Sequence, residues 1–114
     1  MKKRCIVETR NFSKVIDDLL DGKGLLHEDF DEFKQQLSEN PEEGDVISGT
    51  GGIRKTRLKS SSKGKSGGFR VCYFDNKESE ELFLLLIYPK NKQENLTAEE
   101  KKALKEFVNV IKKK

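Results

Sequence analysis

Apolar positions along this chain follow two different rhythms, and the change comes near residue 50. In "NFSKVIDDLLDGKG", Phe12, Val15, Ile16, Leu19 and Leu20 fall at i, i+3, i+4, i+7 and i+8. That spacing puts all of them on one side of a helix. Asn11 or Ser13 is placed to cap its start, and Gly22 or Gly24 to end it. Phe30, Phe33 and Leu37 repeat at helical spacing and predict a second helix. It stops at Asn40–Pro41, because proline disfavours helical backbone in the residue before it. The two helices are expected to form a hairpin over one face of a sheet.

The strand candidates are shorter. "RCIVET" (Arg4 to Thr9) is short and contains β-branched residues. "GDVISGTGG" reads as a loop. Three strands follow it: "IRKTRLK" (Ile53 to Lys59), "FRVCYFD" (Phe69 to Asp75) and "LFLLLIY" (Leu82 to Tyr88). Their simplest joining is an antiparallel meander, with the unbroken apolar run as a central buried strand. "LTAEEKKALKEFVNVIKKK" predicts a last helix. Thr97 and Glu100 make a capping box at its start, and Leu104, Phe107, Val108 and Ile111 form its apolar stripe. Its terminal lysines suit the negative end of the helix dipole. The order β-α-α-β-β-β-α describes an α+β domain, with helices packed on a small, mostly antiparallel sheet. The sheet face away from the hairpin, with the glycine-rich connection, is expected to be free for chemistry. The 114 residues fit a single domain, 1–114.

Charge changes this picture more than composition does. The net charge of +3 is small, but residues 51–77 carry eight basic side chains and one acidic. Residues 1–50 carry seven basic and twelve acidic. A strongly basic segment in a near-neutral protein is a polyanion-binding candidate, since the local field attracts phosphates. Cys5 and Cys72 stand among apolar residues and are expected to be small buried hydrophobes in a reducing cytosol. No Cys/His spacing suggests zinc, and no apolar run approaches membrane-spanning length. A soluble cytoplasmic protein is expected.

Several tempting motifs fail. "GKS" (Gly64 to Ser66) lacks the earlier glycine of a nucleotide-binding loop, because Lys59 stands there, and a strand follows where a helix is needed. His27 opens a helix among acids and reads as a surface residue. Glu28, Asp29, Asp31 and Glu32 read as a solvated helix face, while Glu42, Glu43 and Asp45 adjoin the basic segment.

The cations are harder to dismiss. Arg54, Lys55 and Arg57 lie on one predicted strand and Arg70 on the next. Lys59, Lys63 and Lys65 lie on or near the connection between them, and Tyr88, Lys90 and Asn91 close the last strand. These groups are expected to converge at one end of the sheet. Arginine offers paired donors to phosphate oxygens. RNA carries its own nucleophile, the 2′-hydroxyl. A protein that cuts it must help remove that proton, stabilise charge at phosphorus and protonate the leaving 5′-oxygen. Cations, a lysine among like charges and a tyrosine meet those needs, and no metal or other cofactor is called for. A module that binds RNA without cutting it would carry the same residues. DNA binding is less well supported, as no predicted helix has a clean basic face.

"GDVISGTGGIRKTR", "GKSGGFRVCYF" and "LLLIYPKNKQENLTAEEKKALK" together resemble the RelE superfamily of bacterial toxin–antitoxin toxins, near its HigB-like branch. The resemblance implies a ribosome-dependent mRNA endonuclease that enters the A site and inhibits translation. It also implies a cognate antitoxin, in this branch usually HigA-like with a helix-turn-helix domain. By position, Arg57, Arg70, Lys65 and Tyr88 would be catalytic. Arg54, Lys55, Lys59, Lys63, Tyr73, Lys90 and Asn91 would bind RNA. The sequence departs from relatives at "VCYF", where Cys72 and Phe74 flank Tyr73 and a tyrosine pair is common.

Overall fold

The computed structural model describes residues 3–21, 24–61, 68–91 and 95–113. Five strands form one sheet in the order β1-β5-β4-β3-β2, with three α-helices. The strands are β1 (Cys5–Glu8), β2 (Asp45–Val46), β3 (Arg54–Leu58), β4 (Phe69–Asn76) and β5 (Glu81–Pro89). The helices are α1 (Arg10–Leu20), α2 (His27–Glu39) and α3 (Ala98–Lys112). The expected meander β3-β4-β5 is antiparallel throughout, and β1 pairs parallel to β5. The short β2 falls inside the segment that reads as loop. Its pairing with Arg54 and Lys55 is tertiary, and two residues leave no periodicity to detect.

The helix stripes meet the sheet as their spacing requires. Phe12, Ile16, Phe30, Phe33 and Leu37 pack on Leu58, Phe69, Val71, Tyr73, Leu82, Leu84 and Ile87. Val15 stays 44% exposed because the sheet reaches only part of the α1 stripe. Neither Asn11 nor Ser13 caps α1: the N-cap is Thr9, and the Ser13 hydroxyl instead donates to Glu8. Asn40 ends α2, as the following proline predicts. The Thr97–Glu100 capping box is present, with both hydrogen bonds made.

The other sheet face is not free, which corrects the expectation. Leu104, Val108 and Ile111 of α3 cover Ile53, Cys72, Phe74 and Leu85 there. A strand covered on both faces needs apolar side chains on both, which is why β5 reads as a continuous apolar run. A bulge between Cys72/Tyr73 and their β5 partners turns Leu85 and Leu86 to the same side, toward α3. Among the described residues, no helix is long and apolar enough to cross a membrane.

The cysteines differ. Cys72 is fully buried, but Cys5 lies exposed on the edge strand, because β1 has a neighbour on one side only. Burial pushes the Cys72 thiol up to about 11. A thiol reagent at neutral pH is therefore expected to label one cysteine rapidly in the native protein and the second only on unfolding. Mass spectrometry of the labelled peptides checks this, and rapid native labelling of Cys72 would contradict its burial.

Candidate functional site

Strand alternation sorts the candidate cations. Leu58 of β3 faces the α1–α2 core, so Arg54 and Thr56 share that side. Lys55 and Arg57 point to the α3 side, as does Arg70 of β4, which lies between the inward Phe69 and Val71. The register then aligns three residues in one row across three strands: Arg57 opposite Arg70, and Arg70 opposite Tyr88. Like charges facing each other across a ladder are unfavourable. Among the described residues, no carboxylate forms an ion pair with Arg57 or Arg70; the ion pairs found lie elsewhere. The arrangement sets two cations side by side on the α3 face of the sheet.

This row runs into a cleft at the end of the sheet. The cleft has a volume of about 560 Å³ and is lined by Arg57, Lys59, Ser60, Ser61, Gly68 and Lys90, over the buried Leu58 and Phe69. Lys90 is held there by its backbone, whose N–H donates to the Gly68 carbonyl at 3.1 Å. Two serines anchor the near side to the helical hairpin. Ser60 donates to the Gly24 carbonyl at 2.6 Å. Asp29 accepts from the Ser61 N–H at 2.9 Å and from its hydroxyl at 2.7 Å. Asp29 reads as a solvated helix residue in sequence, and no local signal marks it as an anchor.

The structure thus brings together Arg57, Arg70, Tyr88, Lys59 and Lys90, with Lys55 on the same face one row along and Asn91 exposed just beyond β5. It separates two others from them. Arg54 lies on the hairpin side, where its guanidinium donates to the carbonyls of Glu42 at 3.2 Å and Gly44 at 2.7 Å. Tyr73 is fully buried, so it presents no surface to a ligand. Its hydroxyl donates to the Pro41 carbonyl at 2.8 Å and accepts from the Gly44 N–H at 2.9 Å. Lys63 and Lys65 lie outside the described residues.

Tyr88 joins the row in an unexpected manner. Its ring packs with the α3-side core, and its hydroxyl is buried without a hydrogen-bond partner among the described residues. Burial, reinforced by the neighbouring Cys72 thiol, pushes it up to about 12. At neutral pH the phenol keeps its proton, and its oxygen does not open on the cleft. The side chains that line it with exchangeable protons are those of Arg57, Lys59 and Lys90, and the Ser60 and Ser61 hydroxyls already bonded to Gly24 and Asp29. Such a site can hold a phosphodiester and stabilise added negative charge at phosphorus.

Among known protein families, residues 27–114 match the family model described as the RelE toxin of the RelE / RelB toxin-antitoxin system. The match runs from the start of α2 to the end of the chain and includes every side chain of the cleft.

Proposed function

The chain belongs to the RelE toxin family, and from that premise we propose that it is a ribosome-dependent mRNA endonuclease which cuts by attack of the message's own 2′-hydroxyl. The observation that carries this reading is the Arg57–Arg70 row, ion-paired to no carboxylate among the described residues, which opens into a lysine-lined cleft. In the reaction the 2′-oxygen bonds to phosphorus as its proton leaves to a base. The bond from phosphorus to the 5′-oxygen breaks, and that oxygen takes up a proton. The products are a 2′,3′-cyclic phosphate and a 5′-hydroxyl. Arg57 and Arg70 hold the non-bridging oxygens and stabilise their growing charge. Lys90 and Lys59 bind the flanking backbone, and a lysine ammonium protonates the departing oxygen. Lys65, on the connection that follows Ser61, is the further candidate for proton transfer. Tyr88, the cross-strand neighbour of Arg70, has a structural rather than a proton-transfer role in this reading. The protein acts in the cytoplasm, where ribosomes are, and is held in check by a cognate antitoxin of the HigA-like, helix-turn-helix kind.

Induced expression with genome-wide mapping of new message 5′ ends tests this. New 5′-hydroxyl ends confined to translated regions are expected within minutes of induction. Growth arrest without new ends would instead favour a protein that binds the ribosome and cuts nothing.

A further inference from the structure

Strand β3 is covered along its outer edge only in part. Its neighbour β2 pairs with Arg54 and Lys55 and goes no further. The Ile47 N–H donates to the Ile53 carbonyl at 2.8 Å, so the outward backbone groups of β3 belong to Ile53, Lys55 and, by alternation, Arg57. Continuing the pairing would set Glu43 opposite Arg57. The chain instead turns beneath the sheet there: the Glu43 N–H donates to Asn40, and the Gly44 N–H donates to Tyr73. Among the described residues, no strand pairs with the outer edge of β3 at Arg57.

A groove of about 450 Å³ runs along this open edge, between β3 and α2. Its α2 wall carries Asp29, Glu32 and Gln36, and Glu43 adjoins them. Asp29 is engaged with Ser61, and Glu43 accepts from the Thr56 hydroxyl at 3.1 Å. Glu32, on the same wall, is exposed. On the other side of the same edge stand Arg57 and Lys59. The two faces that a new edge strand would present its side chains to therefore carry opposite charge.

We propose that this open edge of β3 docks an extended segment of a partner polypeptide, in which the residue paired with Arg57 is acidic and its immediate neighbours are basic. Strand addition satisfies the outward N–H and carbonyl of Arg57. Successive side chains of a strand point to opposite faces. The residue opposite Arg57 thus meets the cationic face, and those beside it meet the acidic wall of α2. Such a segment would also place a carboxylate against Arg57, and so block the cleft. Only this last consequence rests on the nuclease reading above.

The probe is a blocked peptide, Thr-Thr-Lys-Glu-Lys-Thr-Thr, and the control exchanges its lysines and glutamate. Each is titrated into the isotope-labelled full-length protein and followed by amide chemical shifts. The expected result is that shifts centre on Thr56–Lys59, that the Arg57 amide exchanges more slowly with solvent, and that the control binds about tenfold more weakly. N-methylation of the central glutamate should abolish the response, and Glu32→Lys should narrow the difference between the two peptides. Equal binding of both peptides, shifts centred elsewhere or no shift at saturating peptide would overturn the proposal. Cleavage is measured separately. A protein that binds the peptide but cuts no message overturns the nuclease reading alone, and one that cuts but ignores the peptide overturns the docking alone.

Discussion

Arg70→Ala is expected to reduce message cleavage by about a hundred- to a thousand-fold, the usual loss when one pre-placed donor to a developing oxyanion is removed. The same change should leave the protein as stable as before or slightly more so. Arg70 sits directly opposite Arg57 in the ladder, with no carboxylate ion-paired to either among the described residues. Like charges so placed cost roughly 0.2–1 kcal/mol, and alanine relieves that cost. A functional residue held against its neighbour's repulsion should show both effects together, whereas a residue kept for packing would show neither. Arg57→Lys separates charge from shape: it keeps the cation and loses the planar fork, so a smaller fall in activity is expected. Growth inhibition, cleavage by primer extension and a thermal melt read all three. A folded Arg70→Ala protein that still arrests growth at ordinary induction would remove Arg70 from the site.

Gly44→Ala is expected to be the most damaging single-methyl change for stability. A Cβ at this position would lie 2.8 Å from the Lys55 carbonyl oxygen and 2.8 Å from the Tyr73 hydroxyl. Neither neighbour gives way easily. Lys55 is tied into the sheet on both sides, and Tyr73 is fully buried with its hydroxyl bonded to Pro41 and Gly44. Overpacking of this kind costs about 1–3 kcal/mol, and parting the buried Tyr73 bonds adds about 1–3 kcal/mol. For a domain near this size each kcal/mol lowers the melting midpoint by about 4–8 °C, so a drop of at least about 8 °C is expected. Tyr73→Phe isolates the polar part: it leaves the Gly44 N–H and the Pro41 carbonyl unpaired, at about 1–3 kcal/mol. A Tyr73→Phe protein that melts with the parent would show that these bonds carry no net stability. The chain from Pro41 to Gly44 also receives the Arg54 guanidinium. Tyr73 and Arg54 therefore hold this turn with four hydrogen bonds, and it sets where β2 begins.

Much of the fold is legible in the order of residues because its causes are local. A helical stripe such as Phe30, Phe33 and Leu37 needs only its own spacing to declare a face. The Thr97–Glu100 capping box closes within one turn, and Pro41 acts on the residue before it. The apolar run of β5 announces a strand covered on both sides without saying by what. The basic segment, likewise, declares a ligand of opposite charge whatever the fold.

What the order of residues left open is which face of each strand meets which neighbour. Arg54 and Arg57 look equivalent in a basic run, yet pairing sends one to a loop beneath the sheet and the other to the cleft. Tyr73 and Arg70 differ by an odd number of positions, so the register that seats one in the core must turn the other outward. The covering of the second face by α3, the bulge at Leu85 and Leu86, the exposure of Cys5 and the inward turn of the Tyr88 hydroxyl all follow from contacts between distant segments. Periodicity is a property of a segment, whereas burial and pairing are properties of its surroundings, and only the assembled sheet supplies those.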